Sequence, residues 1–226
     1  MSSSRSLLTV GARIALAVCT PLVLLLSNLY LLATPAFIRY EYGKPSFSPA
    51  DLYSDGERLR LAEATLHYMR SDKGVDYLTS LEARGRPVYN PREIRHLVDA
   101  KRVLRGALAV HAAGLAIALL ALLWLWRMGD PLGALRAMFW GCAGFVGTLA
   151  AIGLLALVNF RLFFTLFHRL LFEGDTWLFA YSDTLIQLFP LQFWMDATWL
   201  LSMLAVLECA LVGVCALALT RRMERR

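Results

Sequence analysis

The sequence predicts an all-α polytopic membrane protein: four transmembrane helices with a mostly helical extracytoplasmic region built from the first and second outer loops. Three observations carry this. Hydrophobic residues make up 58% of the 226 and the mean hydropathy is +0.54. A soluble domain is nearer half apolar and carries more charge. The excess sits in four nearly uncharged runs, about 14–33, 106–126, 137–160 and 197–219. Each is long enough to cross a hydrocarbon layer of ~30 Å at ~1.5 Å per residue. The short segments flanking these runs are basic on one side only.

The first run exceeds the ~7–15 apolar residues of a signal-peptide core, and no small-x-small cleavage site follows it. Val18 before Cys19 is a poor lipobox, so the run reads as an uncleaved anchor with a bend at Pro21. Arg5 and Arg13 precede it. Arg127 and Arg136 bracket the 127–136 turn, and Arg221, Arg222, Arg225 and Arg226 close the chain. Asp130 and Glu224 are the only acids in these three segments. Short basic loops face the cytoplasm. Both termini are therefore expected on the cytoplasmic side, with 34–105 and 161–196 outside and residues 1–226 forming one integral membrane domain.

The net charge of +6 is largely explained by this topology, and no nucleic-acid motif accompanies it. Cys19, Cys142, Cys209 and Cys215 all fall inside predicted spans, where they read as packing residues. A cysteine nucleophile on the outer surface is thereby excluded. The sequence contains no Gly-x-Ser-x-Gly, no phosphate-binding glycine loop and no His-Glu-x-x-His. Serine hydrolase, nucleotide-driven and zincin chemistries lose their motifs.

Along the first outer region, Pro35, Pro45, Pro49, Gly43 and Gly56 predict irregular chain over 34–56. Leu59, Ala62, Leu66 and Met69 predict a helix over 57–70 with that apolar face, and 76–83 adds a short helix. A turn follows at Gly85, Pro87 and Tyr89. Asn90, Pro91 and Glu93 suit the N-cap, N1 and N3 positions of a capping box. No breaker follows, so one helix is expected over about 91–126, with His96 ~15 Å above Gly106, near headgroup level. The second outer region, 161–196, holds ten aromatic residues in 36. Such density belongs in or against a membrane interface. Asp183 should cap a short helix there that Pro190 ends.

Two polar motifs stand beside the spans, each with one histidine and nearby carboxylates. Glu93, His96 and Asp99 share a helical stripe, and flanking carboxylates favour a charged, oriented imidazole. The stripe reads either as an acid/base or headgroup site or as a solvated face whose charges pair. His168 follows Phe163, Phe164 and Phe167 and reads either as reactive or as a satisfied interface residue, with Glu173 and Asp175 as its candidate orienters. His111 reads as packed with a hydrogen bond to a neighbouring helix, and His67 as surface. Glu208, mid-span, is either functional or a protonated carboxyl bonded across helices, with Thr148 at similar depth. Glu-x-x-His also occurs in di-iron bundles, but the second copy those need is missing, so neither metal nor cofactor is expected.

At these motifs the chain resembles the lipoprotein intramolecular transacylases called Lit, small bacterial membrane proteins with four spans. The matching segments are Glu93-x-x-His96-x-x-Asp99-x-Lys101, Phe167-His168-x-x-x-Phe172, Gly174-Asp175-Thr176-Trp177-Leu178-Phe179, and Asp183-Thr184-Leu185-Ile186-x-Leu188-Phe189-Pro190-x-x-Phe193-Trp194. The family pattern has Met where Leu97 stands and Val where Ala100 stands. The resemblance implies an acyltransferase acting on diacylglyceryl-modified lipoproteins: the sn-2 acyl chain moves from the N-terminal cysteine's glyceride to that cysteine's own α-amino group, giving a lyso form. Under that reading His96 and His168 are the acid/base pair, with Glu93 and Asp175 orienting or polarising them. Trp177, Phe167 and Phe172 shape the acyl groove, and Asp99, Tyr40 and Arg39 contact substrate or headgroup. The alternatives are a non-catalytic lipid- or lipoprotein-binding assembly protein and a haem-binding histidine pair.

Overall fold

The computed structural model describes residues 2–225. In chain order the elements are α1 (Ser2–Ser27), α2 (Leu29–Leu32), α3 (Pro35–Tyr42), α4 (Asp55–Arg70), α5 (Val75–Thr79), β1 (Glu82–Ala83), β2 (Arg86–Pro87), α6 (Pro91–Arg127), α7 (Pro131–Val158), α8 (Phe160–Leu171), α9 (Thr184–Leu188) and α10 (Leu191–Glu224). Among the described residues four helical stretches are long and apolar enough to cross a membrane: Arg5–Leu32, Pro91–Arg127, Pro131–Val158 and Leu191–Glu224. They contain the predicted runs, except that the first ends at Leu32 and the third at Val158, where Asn159 caps α8.

The chain forms two compact units. One holds the chain up to Leu29, Ala107–Leu157 and the chain from Leu200 on. Its core includes Leu16, Ala121, Leu125 and Ala134. A Cβ at Gly141 would collide with the Ala17 carbonyl, so α7 packs there backbone to backbone against α1. Close approach through small residues is a common way for helices to associate in lipid. Pro21 lies inside an unbroken α1, and the interruption falls at Asn28 instead. Asn28 donates through Nδ2 to Glu208 Oε2 at 3.0 Å. Glu208 thus bonds across helices as the structural reading requires, but to Asn28; Thr148 bonds back to Gly144. Ser27 Oγ meets His111 Nε2 at 3.0 Å.

The other unit comprises Tyr30–Gly106 and Val158–Trp199. Its core gathers Leu61, Tyr68, Leu78, Val88, Tyr89, Leu97, Leu185 and Leu188. The capping box at the start of α6 forms as the sequence predicts. Asn90 Oδ1 accepts from Arg92 and Glu93 N–H, and Glu93 Oε2 accepts from Asn90 N–H at 2.8 Å. Arg84 and Gly85, at φ 54° and 71°, join β1 to β2 in a tight hairpin.

Four local expectations are corrected. The helix expected over 76–83 stops at Thr79, and Glu82–Ala83 form β1 instead. Residues 34–56 are not wholly irregular: Thr34 accepts from Phe37 N–H and Pro35 begins α3. Proline acts there as an N1 residue rather than a breaker. The buried face of α4 is Arg58, Leu61, Ala62, Thr65 and Tyr68. It is rotated from the apolar stripe because buried Arg58 donates to the Gln187 and Ser48 carbonyls at 2.8 and 2.7 Å. Asp183 precedes α9 without capping it; its carboxylate instead accepts from Asn90, Arg92 and the Ala180 N–H.

Candidate functional site

His96 and His168 come together. His96 rides one turn beyond the α6 cap, and His168 lies in the last turn of α8. Their ring centroids are 6.1 Å apart and the rings are inclined by only 20°. Phe172 packs against both, at 4.8 and 5.3 Å. Phe179 meets His96 edge-on at 5.2 Å. Trp177, Phe164 and Phe167 surround His168 at 5.0, 4.0 and 5.5 Å. The result is an aromatic box holding two imidazoles.

The box is built by docking the two sequence motifs. Glu93 is 1% exposed, and its second oxygen, Oε1, accepts from Leu185 N–H at 2.8 Å. Thr184 Oγ1 donates to the Val88 carbonyl at 2.7 Å. Arg92 Nη2 reaches Asp183 at 2.8 Å, and its guanidinium lies over Phe179. The cap of α6 thus grips the start of α9 and sets Phe179 against His96.

Burial controls the chemistry of the pair. Desolvation first, and the neighbouring His168 second, pull the His96 pKa from its ordinary value down to about 4, with Asp99 acting in the opposite sense. Desolvation also lowers His168, partly offset by its bond to Phe164. Both rings are therefore neutral near pH 7. His168 Nδ1 lies 2.8 Å from the Phe164 carbonyl oxygen, and a carbonyl only accepts. The proton of neutral His168 is thus on Nδ1, and Nε2 carries the lone pair. His96 Nδ1 is buried and reaches no hydrogen-bond partner among the described residues. A lone pair is cheaper to leave unmatched there than an N–H, so the His96 proton is assigned to Nε2.

The other predicted residues are distributed as follows. Trp177 is buried and ties its indole N–H to the Gly174 carbonyl at 3.1 Å. Gly174 adopts φ 64°, which lets the 173–176 turn fold back. Glu93 spends both oxygens on backbone N–H groups rather than on His96, and burial raises its pKa. Asp99 acts on His96 through its field and pairs with exposed Arg102 at 2.9 Å. Asp175 is exposed, and its backbone carbonyl accepts from Leu178. Arg39 pairs with Glu63, and Tyr40 is exposed beneath the Lys44 ammonium. Sequence reasoning left Phe179 and Phe164 out of the site, although both stand in or beside the motifs. Thr176 was also missed; its Oγ1 is buried with no partner among the described residues.

Comparison with known proteins shows the fold and the family. An uncharacterized protein of Aquifex aeolicus (strain VF5) is 31% identical over 179 residues, covering 78% of this chain and 79% of its own. The membrane-integral lipoprotein intramolecular transacylase Lit from Bacillus cereus has the same fold: TM-score 0.71, with 100% of both chains covered at 18% identity. A form of that protein with a histidine-to-alanine substitution gives a TM-score of 0.67 at 20% identity, over 100% of this chain and 97% of its own. The family model for the lipoprotein intramolecular transacylase Lit matches residues 14–194, and the chain belongs to that family.

Proposed function

We propose that the aromatic box moves an acyl chain from the diacylglyceryl group of a bacterial lipoprotein's N-terminal cysteine to that cysteine's own α-amino group. The observation that carries the reading is the facing pair of buried imidazoles, 6.1 Å apart, with His168 Nδ1 held on the Phe164 carbonyl. The neutral amine attacks the ester carbonyl, forming the C–N bond, and gives a proton to His168 Nε2. His96, through Nε2–H, donates to the charge developing on oxygen. The C–O bond then breaks, and the glycerol oxygen leaves with one proton returned by the pair. Amide and alcohol replace amine and ester, and both rings end neutral. Acceptor and ester belong to one molecule, so holding them in register supplies much of the rate. The buried aromatic walls exclude water, which would otherwise hydrolyse the ester.

Trp177, Phe167 and Phe172 line the acyl path in this reading, Asp99 attends the amine, and Tyr40 and Arg39 contact headgroups. Glu93 serves by positioning His96, and exposed Asp175 meets the substrate's polar part. Reaction takes place at the outer leaflet with both termini cytoplasmic. Supporting this, α8 buries His168 while exposing Leu162, Leu166 and Leu170, the last at 82%. Such a face suits a helix lying in the interface. Cysteines placed at Ser54 and Ser182 in an otherwise cysteine-free protein should be labelled from outside intact cells. Labelling only after lysis contradicts the orientation.

The decisive test of function is mass spectrometry of lipoprotein N-terminal peptides from cells with and without the protein. Migration leaves the total mass unchanged, so fragment ions must place the acyl group on nitrogen. Nitrogen-acylated peptides that depend on the protein support the reading. Unchanged N-termini leave only a binding protein.

A further inference from the structure

Apart from the histidine box, α3 and the start of α4 enclose a groove of about 320 Å³ lined by Arg39, Tyr42, Asp55, Gly56 and Arg58. Arg58 is only 4% exposed. Its Nε and Nη1 reach the Gln187 and Ser48 carbonyls, and its guanidinium lies over the Tyr42 and Phe47 rings at 4.6 and 4.8 Å. Nη2 is buried and finds no acceptor, and Arg58 forms no ion pair among the described residues. A buried cation without an anion is costly. Arg39 lines the same groove, and its pair with Glu63 is exposed enough to exchange, with 62% of the arginine side chain accessible. Asp55 and Gly56 are the first residues of the 16-residue helix α4, so the partial positive charge of its N-terminus adds to the two arginines. The Asp55 carboxylate opposes them and leaves the lining with one net positive charge.

We infer that this groove binds a phosphate diester, the singly charged linkage of an anionic phospholipid headgroup. Once the phosphate takes the place of Glu63 on Arg39, the one net positive charge of the lining matches its one negative charge. The lipid source follows from position along the chain: Arg39 stands seven residues beyond Leu32, where the first candidate span ends. Even fully extended, seven residues reach at most about 25 Å, so Arg39 stays tethered near the membrane end of that span. Arg39 reaches the phosphate, Arg58 supplies buried positive field from beneath, and the open space at Gly56 admits the headgroup. The inference rests on the chain being a membrane protein, not on acyl transfer.

The test is thermal unfolding of the full-length protein in an uncharged detergent, with added phosphatidylglycerol, phosphatidylcholine or inorganic phosphate. Phosphatidylglycerol should raise the midpoint by a few °C beyond phosphatidylcholine, the scale expected of a ligand well above its Kd. Arg39→Gln should erase that difference. Gly56→Leu should erase it too, by filling the groove; a Cβ there meets nothing within 4 Å, so the change itself is tolerated. Equal shifts from both lipids, or a phosphatidylglycerol shift that survives both substitutions, overturns the site. An equal shift from inorganic phosphate alone overturns the lipid source. No lipoprotein is present in this measurement, so its failure leaves the reading of the histidine box untouched.

Discussion

The two units each hold histidine and glutamate in apolar surroundings, yet they treat them differently. Near the helices that cross the membrane, Glu208 receives the Asn28 amide and His111 meets Ser27. Each polar group is matched by a neighbour, the arrangement that makes buried polarity tolerable. In the other unit Glu93 is matched completely by two backbone N–H groups, but the histidines are not. His96 Nδ1 has no partner among the described residues, His168 offers Nε2, and the rings face one another among aromatics. Matched groups hold structure. Groups left unmatched inside a packed site are the ones available for chemistry.

The sharpest way to break that contrast is to remove one imidazole. His96→Ala and His168→Ala should each lower acyl transfer by about 10²–10⁴-fold, the usual worth of an acid/base group. The double substitution should cost little more, because the two act as a unit. Ser27→Ala, which removes one matched hydrogen bond near His111, should change activity little and cost about 1 kcal/mol of stability. Comparable activity losses in all three variants, measured at equal membrane levels, erase the distinction.

The two glutamates extend the comparison to stability. Both Glu93 oxygens accept backbone N–H groups, so in Glu93→Gln one amide N–H₂ faces another donor. That should cost about 1–3 kcal/mol, read as a lower unfolding midpoint. Any loss of activity should then accompany loss of the fold, with no shift in the pH profile of the surviving fraction. A shifted profile with an unchanged midpoint contradicts the positioning role.

A pH effect of smaller reach follows from the histidines. Their folded pKa values are depressed, so the unfolded chain binds protons that the folded chain refuses. The stability they contribute is fully present above pH ~6.5 and is lost as pH falls, through about 4 for His96. Unfolding midpoints between pH 6.5 and 4 should therefore decline less steeply in His96→Phe than in the parent. The smallest effect is expected at Glu208. Glu208→Gln keeps an acceptor for Asn28 and should be nearly silent in both activity and midpoint.

Much of this was legible in the sequence because it is local. Four apolar runs, the Asn90–Glu93 cap and the two histidines are each written within a few residues. What stayed hidden depends on distant partners. Glu93 lies 92 residues from Leu185 and Asn28 lies 180 from Glu208, separations that no spacing rule reports. The capping box was legible; that its free oxygen docks α9, and so is unavailable to His96, was not. Arg58 misled the reading of α4 because a charged residue buried on two carbonyls breaks the apolar stripe. Helix α8 was hidden by its run of phenylalanines, which reads as interface before it reads as helix. Only its folded face shows that Phe164 fixes the His168 proton.

The most direct test of the central claim is single-turnover acyl transfer within a synthetic diacylglyceryl-cysteine peptide, using purified protein in bilayers. Fragment-ion mass spectrometry reports the position of the acyl group over time. The parent protein should convert the ester to the N-acyl isomer at constant total mass, while His96→Ala and His168→Ala, folded to the same midpoint at pH 8, should leave the ester in place. Conversion at near-parent rate by either single variant would contradict the pair of neutral imidazoles as the acid/base machinery.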